Sequence, residues 1–476
     1  MLFRSKPLSY VQSVFKYVGV LFSDDGSFKY HGDAVVEKAR RAMFSCFSRA
    51  NRLSKSCPLF IKSTLFKAYV LPVMSYACEA FPYSKGTINS LDNIIVNYCR
   101  WSLNVPKFSS RLHTLRECGM RPFEFVYRAA RANYYLMLQS RPSDHLTTVA
   151  LLHIINAKKA LMHGKWLSPV FSDLKKWNLF FCDGSPSVGA FTCSFPHKRN
   201  FYSKLIRAHC DAEWCDAICA LIDIKLHDRL FDVEDFLSFS SVEGRAHNII
   251  HAPNNLTYPL MVSLNGSLCR KVAPFGYVCL TPRLSRALAL VRLGVAPLNR
   301  NICFSSCISA RICSFCFNSG AGKFIEDEFH ACFECSLFDS LRCSLFEILH
   351  KNGFMFSSKQ HCNDVCPITL LADLLSVANP AHVRCVSRFL NDCLSLRALY
   401  LEKCCVNKRG DHFKYWLLLD SDRQKFSKVL DDSLAAARRE SYDFLKINSI
   451  CLLRDLFSIS LTPREPLWLL VNEAKV

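Results

Sequence analysis

From Val35 onward the apolar residues return every three or four positions, as Val35, Ala39, Met43, Cys46, Ala50 and Leu53. That is the period of a helix with one buried face, and a strand would alternate instead. Similar stripes run through Ile88, Leu91, Ile94, Ile95, Tyr98 and Leu103, then through Phe123 to Leu138, Leu151 to Met162 and Tyr202 to Ile222. They return at His382 to Lys403 and Gln424 to Phe444. Leu59 to Glu79 also reads as helical, but Pro72 lacks a backbone donor and must break or kink it. Only the N-terminus alternates. Val14, Lys16, Val18, Val20 and Phe22 predict a strand, and Ser23-Asp24-Asp25-Gly26-Ser27 predicts the polar turn that ends it. The expected fold is mainly α. It comprises a strand or hairpin over 1–34, a basic helical bundle over 35–140, a helical connector over 150–280 with a loop at Asp183 to Asn200, a Cys/His module over 283–345, and C-terminal helices over 346–476.

Charge narrows the partners. Sixty Lys and Arg against 40 Asp and Glu leave a formal charge of +20, which favours polyanions. Residues 1–140 hold 20 of those basic side chains and only 8 acidic ones, more than half the excess in under a third of the chain. The first segment is therefore the expected phosphate-facing surface. Ala68 to Cys78, the longest uncharged apolar stretch near the start, is far shorter than the roughly 20 residues of a membrane helix, so no membrane partner is expected. Arg4 and Lys6 interrupt the start, and no secretory signal is readable there. The 26 cysteines are scattered through a long chain, which points to a reduced intracellular setting, nuclear or cytoplasmic.

Near residue 320 three cysteines and a histidine stand at ligand spacing: Cys313-x2-Cys316-x13-His330-x4-Cys335. Two close pairs separated by a loop are what a tetrahedral zinc site requires for chain closure. Cys332 offers a rival third ligand, since Cys332-x2-Cys335 is itself a pair. Against both stands the plain alternative of reduced core cysteines beside a core histidine, because a buried Cys behaves as a small hydrophobe. Walker, dinucleotide and His-Glu-x-x-His motifs are missing from the sequence, and no small-molecule substrate is expected. Asp420, Asp422, Asp431 and Asp432 read as acidic residues near a helix start, where capping is their usual work.

Ordered landmarks then line up over the first quarter of the chain: Phe15-Lys16-Tyr17-Val18-Gly19-Val20, Gly26-Ser27-Phe28 with His31, Lys38-Ala39, Leu65-Phe66-Lys67-Ala68, Leu71-Pro72-Val73, Tyr76 with Glu79, Val105-Pro106, and Glu117-Cys118-Gly119-Met120-Arg121-Pro122. This succession resembles the segment that follows the palm in reverse transcriptases of non-LTR (LINE-type) retrotransposons, with Cys78 and Phe81 in place of the commoner Gly and Trp. The resemblance resumes at Leu290-Val291-Arg292-Leu293-Gly294 with Pro297-Leu298, and again at Cys313, Cys316, Glu326 to His330, Cys335 and Arg342. In that family pattern acidic residues precede a His, then a Cys and an Arg follow, which favours His330 over Cys332 as third ligand.

The resemblance implies a thumb-like helical bundle that holds RNA or an RNA–DNA duplex by its backbone, without reading sequence. Lys38, Arg41, Arg49, Arg52, Lys62 and Lys67 are the side chains expected to do so, assisted by a CCHC zinc module. Residues 1–34 would then be the remnant of the palm–thumb junction. Phe22-Ser23-Asp24-Asp25 imitates the catalytic turn of these polymerases, but none of the 21 residues before it is Asp or Glu, whereas two-metal transfer needs a further carboxylate from an earlier strand. No catalytic residue is therefore expected, polymerase activity of this chain alone is not expected, and magnesium would enter only with a palm encoded upstream. The alternatives are part of an active RNA-directed DNA polymerase whose palm lies on another chain or exon, and a helical, zinc-stabilised interaction scaffold.

Overall fold

The structure is a computed structural model. It describes residues 2–3, 6–7, 14–24, 27–53, 56–139, 141–142, 144–156, 166–177, 203–214, 216, 272–299, 312–322, 324, 326–356, 367–404, 416, 418–439 and 448–457. The fold is mainly helical, with two small antiparallel hairpins at the N-terminus. The chain divides into two units. Met1–Cys99, Leu115–Ile218 and Cys269–Val272 form the first, and Arg100–Thr114, Cys219–Leu268 and Ala273–Val476 form the second.

In the first unit β1 (Leu2–Phe3) pairs with β2 (Lys6–Pro7), and β3 (Val14–Tyr17) with β4 (Val20–Ser23). The expected single strand ending at Ser23 is thus two strands with a two-residue turn at Val18-Gly19. Both turn residues have positive φ, 46° and 83°, as the tight hairpin turns that match strand twist require. The turn reverses which residues share a face: Phe15 stands opposite Phe22 and Tyr17 opposite Val20, so Val14 and Lys16 lie on the other face from Val20 and Phe22. Tyr76 Oη donates to the Val18 carbonyl at 2.7 Å, and a Cβ on Gly19 would meet the Tyr76 ring at 3.4 Å. The hydroxyl and the missing side chain therefore hold the turn together.

Helix α1 (Lys29–Leu53) starts six residues before the expected position and buries His31, Gly32, Val35, Val36, Ala39, Met43, Cys46 and Ala50. Leu53, expected on that stripe, ends the helix and is exposed. Gly32 permits close approach, because a Cβ there would stand 2.8 Å from Thr87 Oγ1. Next come α2 (Leu59–Tyr69) and α3 (Leu71–Met74), joined at Val70. Pro72 falls in the first turn of α3, where its missing N–H costs nothing, so it starts a helix as well as ending one. Tyr98 of α4 (Lys85–Leu103) lies between Phe47 of α1 and Phe66 of α2, with centroids 5.4 and 4.6 Å away. Its hydroxyl donates to the Lys62 carbonyl at 2.8 Å. One buried ring thus joins three helices, and each such ring pair adds about 0.5–1.5 kcal/mol beyond area burial.

After α5 (Arg111–Glu117), a second core joins α6 (Phe123–Gln139), α7 (Leu146–Asn156), α8 (Ser168–Lys176) and the helical residues 203–214 through Tyr135, Leu151, Leu174 and Ile206. Arg128 fixes their order by pairing with Asp173 and with Glu213, the latter at 2.6 Å. Most of the expected connector over 150–280, including the loop at Asp183 to Asn200, lies outside the described residues.

The second unit is built around α13 (Pro380–Cys404), whose middle is buried from Val386 to Tyr400 save Arg388. Against it pack α9 (Pro282–Arg292), α11 (Asp339–Lys351) and α14 (Asp420–Arg439), and α15 (Asn448–Phe457) packs on α11. The short α10 (Ser314–Asn318) and α12 (Pro367–Leu375) complete the described α-helices of this unit beyond residue 272. Asp422 accepts from the Leu419 backbone N–H at 3.2 Å at the start of α14 and pairs with Arg283 of α9. Asp431 pairs with Lys403 at 3.3 Å. Asp422 thus caps α14, whereas Asp431 and Asp432 lie in the middle of that helix, away from the start expected for them, and Asp431 ties α14 to α13.

Candidate functional site

Cys313 precedes α10 and Cys316 lies within it, so the two thiols stand one helical turn apart on one side. The Cys313 N–H donates to the Phe324 carbonyl at 2.8 Å and the Gly322 N–H to the Cys316 carbonyl at 3.3 Å, closing the loop after the pair. His330 opens a single wide turn over His330–Glu334, and the Cys335 N–H donates to the His330 carbonyl at 2.7 Å. This folds the second pair back on itself. All four ligand atoms of Cys313, Cys316, His330 and Cys335 lie within 4.8 Å of one another, and all four residues are buried. Three thiols and an imidazole form a donor set that can hold a metal ion.

The partners of these ligands are equally defined. His330 Nδ1 stands 3.2 Å from Glu334 Oε2, which leaves Nε2 facing Cys316 Sγ at 3.5 Å. Asp327 Oδ1 accepts from the His330 N–H at 2.8 Å, and Phe324 stacks on the imidazole at 5.2 Å. Arg342, fully buried, donates to the Cys335 carbonyl at 2.6 Å and to the Ala331 carbonyl at 3.4 Å. Hydrogen bonding with the Cys313 and Cys335 thiols holds the Cys316 thiol well below its usual value, helped by His330 and opposed by burial. Burial opposes charge on His330, yet the negative Cys316 and bonds to Cys313, Cys316 and Glu334 raise it well above the imidazole norm. Cys335 is pushed up, chiefly by burial.

Cys332 is buried in the same turn as His330 but stands outside the cluster, since residues two apart on a turn point to different sides. Its thiol is pushed up by burial and by nearby Glu328. Glu334 and Arg397 are site residues that spacing did not single out. Arg397 of α13 donates two hydrogen bonds to the Glu326 carboxylate, at 2.6 and 2.7 Å, and one to Asn299 Oδ1, which anchors the acidic run just ahead of His330. Tyr400 Oη donates to the Ser314 carbonyl at 3.3 Å and holds the other side.

The six expected nucleic-acid-binding residues belong to the first unit. Lys38, Arg41, Arg49, Arg52 and Lys67 are exposed. At 100° per residue the first four share an arc of about 80° on α1, off the side that buries Val35, Ala39, Met43, Cys46 and Ala50, and span about 21 Å along its axis. Glu37, to one side of that arc, is shared by Arg40 at 2.9 Å and Arg41 at 3.0 Å. Arg49 lies over the Tyr69 ring, 4.3 Å from its centroid. Lys62 is half-buried, and burial lowers its ammonium below the usual lysine value, so it suits phosphate contact least. Ser23 Oγ donates to Asp24 Oδ1 at 3.4 Å, and among the described residues Asp24 joins no cluster of three metal-ligating groups. Asp25 lies outside the described residues.

The first unit is thus a helical bundle with a basic face, and the second a helical core carrying a Cys3His cluster that can hold a metal ion. No protein-family model, curated protein or solved structure matches the chain.

Proposed function

We propose that this chain binds RNA or an RNA–DNA duplex through its phosphates, as the post-palm part of a LINE-type reverse transcriptase would, and that the Cys3His cluster is a zinc site. The observation that carries the first half is the stripe of Lys38, Arg41, Arg49 and Arg52 on one exposed arc of α1. Such a stripe follows a phosphate backbone without reading bases. The Glu37 pair does not oppose this, because exposed ion pairs are screened by water and exchange readily for a phosphate.

Distances support zinc. A tetrahedral ion with Zn–S of about 2.3 Å and Zn–N of about 2.0–2.1 Å sets S···S edges near 3.8 Å and S···N edges near 3.6 Å. Cys316 Sγ stands 3.7 Å from Cys335 Sγ, Cys313 Sγ 3.8 Å from Cys335 Sγ, and Cys316 Sγ 3.5 Å from His330 Nε2. The four protein ligands would close the coordination sphere, so the metal would stabilise the fold and hold no open position for a substrate. Polymerization by this chain alone is outside the proposal.

Binding measured against salt concentration tests the phosphate reading. Neutralising all four stripe residues to Gln removes up to four phosphate contacts, so the log–log salt slope on duplex should flatten by about 3.6 at most and affinity should fall. An unchanged slope in the fourfold variant rejects the stripe as the binding face.

A further inference from the structure

Exposed aromatic rings accompany the cations. Tyr69, at the end of α2, is 49% exposed although Arg49 covers it at 4.3 Å. Tyr30, in the first turn of α1, is 51% exposed and falls on the same arc as Arg41 and Arg52 by helical spacing. The stripe is thus flanked by a tyrosine at one end and an arginine–tyrosine stack at the other, about 28 Å apart along the axis. Phosphates alone would need only cations and hydroxyl donors, not exposed ring faces. A half-exposed ring already stacked on a guanidinium offers a flat apolar surface beside a positive charge, which suits the face of an unpaired base. A continuous duplex shows its base faces only at its ends, so its phosphates could take the tyrosine hydroxyls but would leave the ring faces unused.

We infer that the α1–α2 face takes a single-stranded segment of nucleic acid, its phosphates along Lys38, Arg41, Arg49 and Arg52 and one unpaired base stacked at Tyr69. This rests on the phosphate-binding reading above and adds the strandedness of the ligand. Tyr30 would provide the second stacking position for the same strand. Because every base has a π-face, the stack selects unpaired over paired nucleotides and does not read sequence.

The test compares a short oligouridylate with an RNA duplex of equal length, on the full chain and on Tyr69→Leu and Tyr69→Trp. Tyr69→Leu should weaken oligouridylate about tenfold or more and leave the duplex within twofold, while Tyr69→Trp keeps wild-type affinity. In the wild-type protein, an oligouridylate carrying one 5-iodouridine should photo-crosslink to Tyr69, located by mass spectrometry. That measurement decides the matter even should Tyr69→Leu fail to fold. Equal losses on both ligands, no loss on either, or crosslinks confined to other residues overturn the inference. Wild-type protein that binds neither ligand in a salt-dependent way overturns the phosphate-binding reading itself, whereas intact duplex binding with an indifferent Tyr69 overturns only the stack.

Discussion

The Arg397–Glu326 pair carries the sharpest prediction for a single side chain. Both partners are more than nine-tenths buried, the contact is bidentate, and Glu326 Oε2 also accepts from the Asn299 N–H at 2.8 Å. Removing one partner leaves the other charge buried without its counter-ion, which costs about 3–5 kcal/mol. Arg397→Met should therefore lower the second unit's stability by that amount in denaturant titration, and adding Glu326→Gln should recover part of it. A single variant within about 0.5 kcal/mol of wild type, the range of ordinary surface substitutions, contradicts this account. Nothing in the sequence pairs these residues, because they lie 71 positions apart and hydrophobic period says nothing about which charges meet. The four residues of the Cys3His cluster were legible for the opposite reason. Each pair closes within one turn, so spacing alone brings its two donors together, but it left His330 and Cys332 as rivals that only the family pattern separated; in the structure His330 joins the cluster and Cys332 does not. Glu334 is legible only afterwards, as the residue four positions on from a histidine that needs an acceptor at Nδ1.

At the scale of elements, helices were readable from period because α1, α4, α6 and α13 each bury one face or nearly all of themselves over many turns. The hairpin was not, since a two-residue turn changes which positions share a face while leaving polar and apolar residues alternating along the chain. Its docking onto α1 gives a pH prediction. The Leu21 N–H donates to His31 Nδ1 at 3.5 Å, and among the described residues the buried Nε2 has no partner. Phe81 and Tyr83 flank the ring. Burial, and then Lys38, lower the His31 value below 6.5, so the folded state keeps it neutral. Below about pH 6.5 the unfolded chain takes up a proton that the folded chain resists, and stability falls until the folded value is passed. Protonation also removes the acceptor that holds Leu21. The wild-type advantage over His31→Gln in thermal midpoint should shrink between pH 7 and pH 5. An advantage that stays constant across this range would show that His31 does not titrate with folding.

The whole molecule divides into two units that close their own cores and hold different chemistry: a basic helix face in one and the Cys3His cluster in the other. A ligand that binds only the folded state stabilises the unit that holds it, by an amount set by its concentration relative to its dissociation constant. Zinc, on the proposed reading, should therefore act on the second unit and nucleic acid on the first. Purified chain should contain one zinc, lost in the Cys313→Ser, Cys316→Ser double variant. A chelator should lower the melting of the second unit, followed by exchange protection of α11 and α13, since Arg342 of α11 bonds the ligand-turn carbonyls and Tyr400 of α13 bonds Ser314. Protection of α1 and α4 should change little on chelation and rise when RNA is added. The thiol donors are deprotonated in the zinc-bound state, so zinc uptake should release protons and weaken as pH falls. Helix-by-helix hydrogen exchange distinguishes this from a site whose cysteines are only core residues: in that case the double variant loosens α11 and α13 through lost packing, but a chelator has no effect on wild-type protein.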